Sequence, residues 1–209
     1  MAKIGLIDYG MGNLFSVQQA FKRLNQPLDI ICDIKTLKLC DALILPGVGS
    51  FDPAMTNLKK TDLIPSIIDW VNNGKPLLGI CLGLQLLFDK SDEGNLKGLG
   101  VIKGQIRKLP DEKNERIPHI GWSPIHKTNE CPILENYPDS NWMYFVHSYS
   151  ACPSEPKNTV ATTKFGKTDV SSIVWHKNTG ACQFHPEKSG VAGQKLIFNW
   201  INWLKKTKF

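Results

Sequence analysis

Short apolar runs alternate with longer helical patterns through the first half of the chain. The runs are rich in isoleucine and leucine, as in IGLI near the start and ALIL further on. Continuous apolar runs of this length are typical of strands that are buried on both faces of a parallel sheet. We predict such strands at residues 3–8, 28–32, 41–45 and 76–80.

The stretches between these runs repeat their apolar positions every three or four residues, which indicates amphipathic helices. We predict helices at residues 13–24, 62–73 and 82–89. Asp62 is a suitable N-cap for the second helix, because its carboxylate can accept from the free backbone N–H groups of the first turn. Gly74 fits as the residue that ends the same helix.

Short strands separated by Pro, Asn and Gly follow residue 100 and predict a more antiparallel region, at residues 101–108, 141–147, 159–165, 171–175 and 179–184. The last predicted helix, residues 191–205, has a core-facing apolar stripe at spacings of three and four, formed by Ile197, Trp200, Ile201 and Leu204. We therefore predict one α/β domain over residues 1–209, in which helices flank a mainly parallel central sheet with an additional antiparallel portion.

The composition is that of an ordinary globular protein in water, with 42% hydrophobic and 21% charged residues. The first residues do not form a signal peptide, and no apolar run reaches the ~18 residues that span a bilayer. A cytoplasmic location is predicted. The cysteines are scattered and form no CxxC pair, which favours reduced thiols at Cys32, Cys40, Cys81, Cys131, Cys152 and Cys182.

The formal net charge of +6 raises the question of nucleic-acid binding. The basic residues are dispersed, however, and the one dense cluster, Lys205, Lys206 and Lys208, lies at the C-terminus. Short charge runs of this kind are usually solvated. We therefore expect neither a nucleic-acid partner nor a membrane partner.

The segment KPLLGICLGLQLLF contains the best candidate for a nucleophile, Cys81. An apolar strand ends in GICLG, and a helical pattern begins at once. Glycines two residues before and two after the cysteine allow the sharp strand-turn-helix elbow that hydrolases use to present a nucleophile. Gln85 lies one helical turn further on and can orient a small amide substrate. The plainer interpretation, an inert buried cysteine, is weakened by the two flanking glycines.

His185 is the candidate general base, because it follows an apolar strand and precedes Pro186 and Glu187. Residues two apart in an extended segment project to the same side, so Glu187 can reach the imidazole. Cys81 would attack, His185 would transfer the proton, and Glu187 would hold the imidazole in one tautomer. None of the other four histidines has a carboxylate two residues away, although His147 in YFVHSY could line the same pocket.

Acyl transfer also requires N–H donors for an oxyanion. The N–H of Leu82, next to the nucleophile, is one candidate, and the glycine-rich LPGVGSF loop after a predicted strand could supply another. The loop lacks the glycine spacing of a nucleotide-phosphate site. No cofactor is implied, and the histidines do not have metal-ligand spacing, so no metal is expected either.

These segments together resemble the class I glutamine amidotransferases, in particular those that pair with a HisF-type (β/α)₈-barrel cyclase in histidine biosynthesis. The resemblance extends over nearly the whole chain. It is carried by IGLIDYGMGNLFSV, ILPGVGSF, LLGICLGLQLLF, DEG followed by GLGVIKGQIRKL, IPHIGW, YFVHSY and QFHPEKSG. One departure is Ser123, where this family commonly has Asn.

The resemblance implies that glutamine forms a thioester on Cys81 and releases ammonia to the cyclase in a heterodimer. It assigns the catalytic triad to Cys81, His185 and Glu187. It further implies an oxyanion near Val48 and Leu82, and glutamine contacts from Gly49, Gln85, Ser148 and Tyr149.

Three other functions stay open at the level of the sequence. The same glutaminase chemistry could supply a different synthase, such as one that amidates surface sugars. A stand-alone cysteine hydrolase could use the same scaffold, because a fold does not determine a substrate. A regulatory subunit that has lost catalysis is the third, and the filled triad positions argue against it.

Overall fold

The computed structural model describes residues 2–138 and 141–207. Helices and strands alternate through the first half of the chain, and strands dominate the second. The helices are α1 (Leu14–Lys22), α2 (Ile34–Lys38), α3 (Phe51–Lys60), α4 (Ile64–Asn72), α5 (Leu82–Leu86) and α6 (Gly190–Lys206). The strands are β1 (Ile4–Ile7), β2 (Leu28–Ile31), β3 (Ala42–Leu45), β4 (Leu77–Ile80), β5 (Lys90–Ser91), β6 (Gly104–Lys108), β7 (His119–Lys127), β8 (Asn141–His147), β9 (Tyr149–Pro153), β10 (Thr159–Phe165), β11 (Thr168–His176) and β12 (Thr179–Cys182).

The main sheet in the described residues has nine strands in the order β2-β1-β3-β4-β12-β11-β10-β7-β8. From β2 to β12 the neighbours are parallel, and from β12 to β8 they are antiparallel. A smaller sheet, β5-β6-β9, lies beside it. The predicted α/β class is confirmed. The antiparallel portion belongs to the same nine-stranded sheet as the parallel strands, and the three-stranded sheet is separate from it.

The parallel strands are buried because helices cover both faces of the sheet. One face packs against α1 and α6, where Phe21 and Trp200 meet edge to face with ring centroids 6.0 Å apart. The other face packs against α3, α4 and α5. The apolar stripe predicted for α6 packs against the sheet on the same face as α1, which confirms that the stripe is part of the core. Its residues are Ile197, Trp200, Ile201 and Leu204.

Several predicted boundaries shift, and some elements were not predicted. Helices α2 and α3 and strands β5, β7 and β9 have no counterpart in the predicted set, because their apolar patterns are short or interrupted by Pro and Gly. The strand expected at residues 101–108 begins only at Gly104, and that expected at 179–184 ends at Cys182.

The predicted N-cap role of Asp62 is wrong. Asp62 has a φ of 57°, and its N–H donates to the carbonyl of Lys59 at 3.2 Å, so it ends α3 rather than starting α4. Helix α4 begins at Ile64 with Pro65 in its first turn, where a missing N–H costs nothing. The stop at Gly74 is confirmed by its φ of +73° and its hydrogen bond to the carbonyl of Val71.

No helix among residues 2–138 and 141–207 is long and apolar enough to cross a membrane. The basic cluster at the C-terminus is partly described. Lys205 and Lys206 close α6, where Nζ of Lys206 lies 3.6 Å from a carboxylate oxygen of Glu135, and Lys208 lies outside the described residues.

Strands β3, β4 and β12 are parallel neighbours, so the segments that leave their carboxyl ends meet at one edge of the sheet. The first turn of α6 packs on the 3₁₀ turn Pro186–Lys188 that follows β12. There, a Cβ on Gly193 would overlap the carbonyl oxygen of Pro186. The sequence needs a glycine here to bring helix and turn together.

We predict that Gly193→Ala destabilises the protein, although Ala is the better helix former by about 1 kcal/mol. Overpacking against a backbone carbonyl should outweigh that gain, for a net loss of about 1–3 kcal/mol in the free energy of unfolding measured with urea. Val191→Ala is the control, because Val191 is exposed in the same helical turn and should change stability by less than about 0.5 kcal/mol. Equal stability of the Gly193 variant and the native chain would contradict this account of the packing.

Candidate functional site

Cys81 lies between β4 and α5 with a φ of 55° and a ψ of −110°. This region is costly for a residue with a side chain and is found where the surroundings enforce it. The flanking glycines permit the turn: a Cβ on Gly83 would overlap the carbonyl oxygen of Leu45, and one on Gly79 would lie 2.9 Å from Cβ of Ala181. The predicted elbow is therefore present, and bulk at either glycine would break it.

His185 and Glu187 meet as the spacing predicted. Nδ1 of His185 lies 2.7 Å from Oε1 of Glu187, and their side chains are only 3% and 2% exposed. The backbone of His185 is anchored by its N–H, which donates to the carbonyl of Tyr144, and by the hydroxyl of Ser189, which donates to the His185 carbonyl. The imidazole is thus fixed in one orientation, with Nε2 left for the Cys81 sulfur.

A cavity of about 280 Å³ opens at this edge of the sheet. Every residue predicted for the site lines it except Glu187, which lies behind His185. The predicted residues in its wall are Val48, Gly49, Cys81, Leu82, Gln85, Ser148, Tyr149 and His185. The wall also contains Glu93, Pro118, Val146 and His147, of which only His147 had been considered.

The two backbone donors expected for an oxyanion are both already paired. The N–H of Leu82 donates to the carbonyl of Gly47 at 3.3 Å, and the N–H of Val48 donates to the carbonyl of Met11 at 2.9 Å. The Gly47 carbonyl and the Val48 N–H belong to one peptide group, so a rotation of that single group would release both donors. In this conformation neither N–H group is free to bind an oxyanion.

A family model described as glutamine amidotransferase class-I matches residues 6–203. The chain belongs to the class I glutamine amidotransferase family. The match includes the elbow, the His185–Glu187 pair and every residue that lines the cavity.

Individual relatives agree with this family assignment. The imidazole glycerol phosphate synthase subunit HisH of Prochlorococcus marinus strain NATL2A is 87% identical over 209 residues, 100% of both chains. The subunit of the same name from strain MIT 9211 is 61% identical over 96% of this chain and 94% of its own. A solved glutamine amidotransferase structure superposes with a TM-score of 0.75 at 18% identity, covering 98% of this chain and 99% of its own, and supports the fold.

Glu93 is a wall residue of this amidotransferase that the sequence pattern did not single out. It lies in the DEG run after β5, and its Oε2 accepts the N–H of Phe51 at 2.8 Å. Burial raises the pKa of its carboxyl, and the nearby Asp52 adds to that shift against the opposing hydrogen bond. No local spacing links Glu93 to Cys81, so only the fold could bring it to the cavity.

Among residues 2–138 and 141–207, no cluster of three His, Cys, Asp or Glu side chains could hold a metal ion.

Two opposing effects set the protonation of His185. Burial alone would lower the pKa of the imidazole, but hydrogen bonds to Cys81 and Glu187 and the negative charge at both positions raise it to about 10. Because the folded-state pKa lies above the unfolded value of about 6.5, this group stabilises the fold fully below pH ~6.5. The stabilisation is lost as the pH rises towards 10.

We predict that Glu187→Gln lowers the midpoint of the His185 titration by about 1–2 pH units, because the carboxylate charge is removed. The measurement is an NMR titration of the imidazole Cε1–H signal. The loss in free energy of unfolding should also be larger at pH 6 than at pH 10. Glu155→Gln is the control, since Glu155 is exposed and its carboxylate lies beside Lys157 rather than His185. An unchanged midpoint in the Glu187 variant would show that Glu187 does not hold the charge on the imidazole.

Proposed function

We propose that the chain is the glutaminase subunit of an imidazole glycerol phosphate synthase, which hydrolyses L-glutamine and passes ammonia to a HisF-type cyclase. The observation that carries this proposal is the full-length 87% identity to a curated subunit of that synthase, in a chain whose elbow cysteine faces a histidine–glutamate pair. We also propose a cytoplasmic location and one glutaminase domain over residues 1–209. All six cysteines are free thiols, which agrees with a reducing compartment.

In the proposed reaction the Cys81 sulfur attacks the side-chain carboxamide carbon of glutamine. The carbon–nitrogen bond breaks, and ammonia leaves with a proton from the His185 imidazolium. His185, now neutral, takes a proton from water, which attacks the thioester, and the carbon–sulfur bond breaks to release glutamate. Glu187 keeps the imidazole oriented and stabilises its charged form throughout.

The oxyanion of each tetrahedral intermediate would be held by the N–H groups of Leu82 and Val48. Both N–H groups are occupied in the observed conformation, so the proposed activity requires the 47–48 peptide group to rotate. Removal of a single oxyanion donor costs roughly 10²–10³ in turnover in other acyl-transfer enzymes. We therefore expect little glutamine hydrolysis unless something favours the rotated conformation.

A protein partner is the proposed source of that change. Strands β7 and β8 present an apolar strip next to the cavity, formed by Ile120, Trp122, Trp142 and Val146, which are between 37% and 61% exposed. Val146 also lines the cavity, so the strip and the site are continuous. Large exposed aromatic groups of this kind are typical of the central part of protein interfaces.

We predict that Cys81→Ala abolishes glutamate release from glutamine, both alone and with a HisF-type cyclase plus its nucleotide substrate. The native chain should release glutamate slowly alone and at least tenfold faster with the loaded cyclase, because the occupied N–H groups must first be freed. Cys32→Ala is the matched control, since Cys32 is an exposed thiol and its loss should leave both rates unchanged.

The same assay separates the competing functions. Glutamate release that depends on Cys81 but ignores the cyclase would redirect the search to another synthase, such as one that amidates surface sugars. No release that depends on Cys81 under any condition would overturn the glutaminase proposal.

Glutamine would be recognised by Gly49, Gln85, Ser148 and Tyr149, and we add Glu93 to this set. A free α-amino group is positively charged at neutral pH, and Glu93 is a carboxylate in the cavity wall. Its Oε1 is not used by the Phe51 N–H, which bonds to Oε2. The arrangement fits an ion pair with the substrate ammonium.

We predict that Glu93→Gln raises KM for glutamine about tenfold or more, because a charge-assisted contact is lost. Glutaric acid monoamide, which lacks the α-amino group, provides the sharper test. Its kcat/KM should be low in the native chain and unchanged by the substitution. The ratio of kcat/KM for glutamine to kcat/KM for the monoamide should therefore be smaller in the variant than in the native chain. A preference for glutamine that survives in the variant would assign ammonium recognition to another group.

A further inference from the structure

Two buried carboxamides connect the nucleophile to the back of the cavity. Gln85 on α5 donates from Nε2 to the carbonyl of Tyr149 and to Oε1 of Gln183, both at 3.3 Å. Nε2 of Gln183 in turn lies 4.0 Å from the sulfur of Cys81. Gln183 follows β12 two residues before His185 and is fully buried. Gln183 has no part in the proposed hydrolysis by Cys81, His185 and Glu187.

The Tyr149 carbonyl, which can only accept hydrogen bonds, determines the orientation of both carboxamides. A backbone carbonyl has no proton to give, so Gln85 must present its NH₂ group to Tyr149. The second hydrogen of that NH₂ group points to Gln183, which must therefore present its oxygen to Gln85. The NH₂ group of Gln183 is then directed at the sulfur.

The Tyr149 carbonyl also accepts a hydrogen bond from His147, which is in turn hydrogen-bonded to His119. Nδ1 of His147 lies 2.9 Å from this carbonyl, and Nε2 of His147 lies 3.1 Å from Nδ1 of His119. Nε2 of His119 accepts from the hydroxyl of Ser123 at 2.9 Å. Burial lowers the pKa of His147 to about 4 and also lowers that of His119, so both rings are neutral at neutral pH. Each ring then has one donor and one acceptor, and every bond in the chain has a single direction.

We propose that Gln183 is a further catalytic residue, whose amide NH₂ group stabilises negative charge on the Cys81 sulfur. This inference rests on the proposed glutaminase function, which it deepens by one residue. The proposed attack needs the sulfur in its thiolate form, and the sulfur regains its electron pair when the carbon–sulfur bond of the thioester breaks. A donor aimed at the sulfur in a water-poor site favours both species.

The reverse orientation of the Gln183 amide would be unfavourable at both ends. Its oxygen would face the lone pairs of the Cys81 sulfur, and its NH₂ group would face the NH₂ group of Gln85. Gln85 and the Tyr149 carbonyl therefore act as positioning groups that prevent this rotation. A carboxamide that only filled space would have no need of such an orienting chain.

The test uses Gln183→Leu, which removes the donor with little change in volume. The rate of Cys81 alkylation by iodoacetamide is measured against pH, in the absence of glutamine and of any partner, with the labelled cysteine identified by mass spectrometry. We expect the midpoint of the profile to move up by about one pH unit, as for loss of a charge-assisted hydrogen bond. The rate of glutamate release with the loaded cyclase should fall about tenfold, mainly in kcat.

Gln26→Leu is the matched control. Gln26 is an equally buried carboxamide, which donates to the carbonyl of Ala2 away from the cavity, so its loss should not move the alkylation profile. If Gln183→Leu does not fold, as judged by circular dichroism and thermal unfolding, Gln85→Leu replaces it. That variant keeps the donor but frees its orientation, and a smaller upward shift is expected.

An unshifted alkylation profile in a folded Gln183→Leu or Gln85→Leu chain would overturn the role of Gln183. That outcome would leave the glutaminase proposal intact, provided that the native chain releases glutamate in a Cys81-dependent way. Failure of the glutaminase proposal would appear separately, as absence of that release from the native chain. Alkylation needs no substrate, so the two failures cannot be confused.

Discussion

The parallel pairing of β4 with β12 is the constraint on which the site depends. It sets Ile80 beside Cys182 and lets the N–H of Cys81 donate to the Cys182 carbonyl at 2.8 Å, although about a hundred residues separate the two strands in sequence. Cys81 and the segment that bears Gln183, His185 and Glu187 therefore leave the sheet side by side. The close fit of Gly83 against Leu45 then fixes α5 over β3, which brings the 46–49 loop to the same edge. One pairing register thus aligns three segments of the site.

The loop at residues 46–49 shows how the same packing can hold an incomplete site. Tyr9 donates its hydroxyl to the carbonyl of Pro46, and Met11 accepts the N–H of Val48, so the start of the chain supports the loop in its observed conformation. Each of these contacts is ordinary, and together they would oppose the peptide rotation that the proposed oxyanion site requires. Rotation of this one peptide group breaks about two backbone hydrogen bonds, which costs a few kcal/mol of free energy. The binding free energy of a protein interface next to the cavity can supply that amount. The apolar strip on β7 and β8 lies where such an interface would act.

The parts of the candidate site that are encoded by a few neighbouring residues could be predicted from the sequence. The GICLG elbow and the His185–Glu187 spacing are each contained in a few residues, and backbone geometry alone places their side chains. Glu93 and Gln183 were missed, because their place in the site depends on strand order and loop paths that no local spacing reveals. Asp62 was misjudged for a related reason: an aspartate before an apolar run fits an N-cap, yet the preceding helix α3 had not been recognised and Asp62 was needed to end it.

Two histidines beside one cavity have opposite protonation states, and their neighbours explain the difference. His185 has a carboxylate on one side and the reactive sulfur on the other, so its charge is compensated despite burial. His147 faces a carbonyl and the neutral His119, and burial keeps it uncharged. A second positive charge beside the cavity would repel the His185 imidazolium and destabilise its charged form. The neutral hydrogen-bonded groups from Ser123 to the Tyr149 carbonyl instead orient Gln85 without adding a charge beside the cavity.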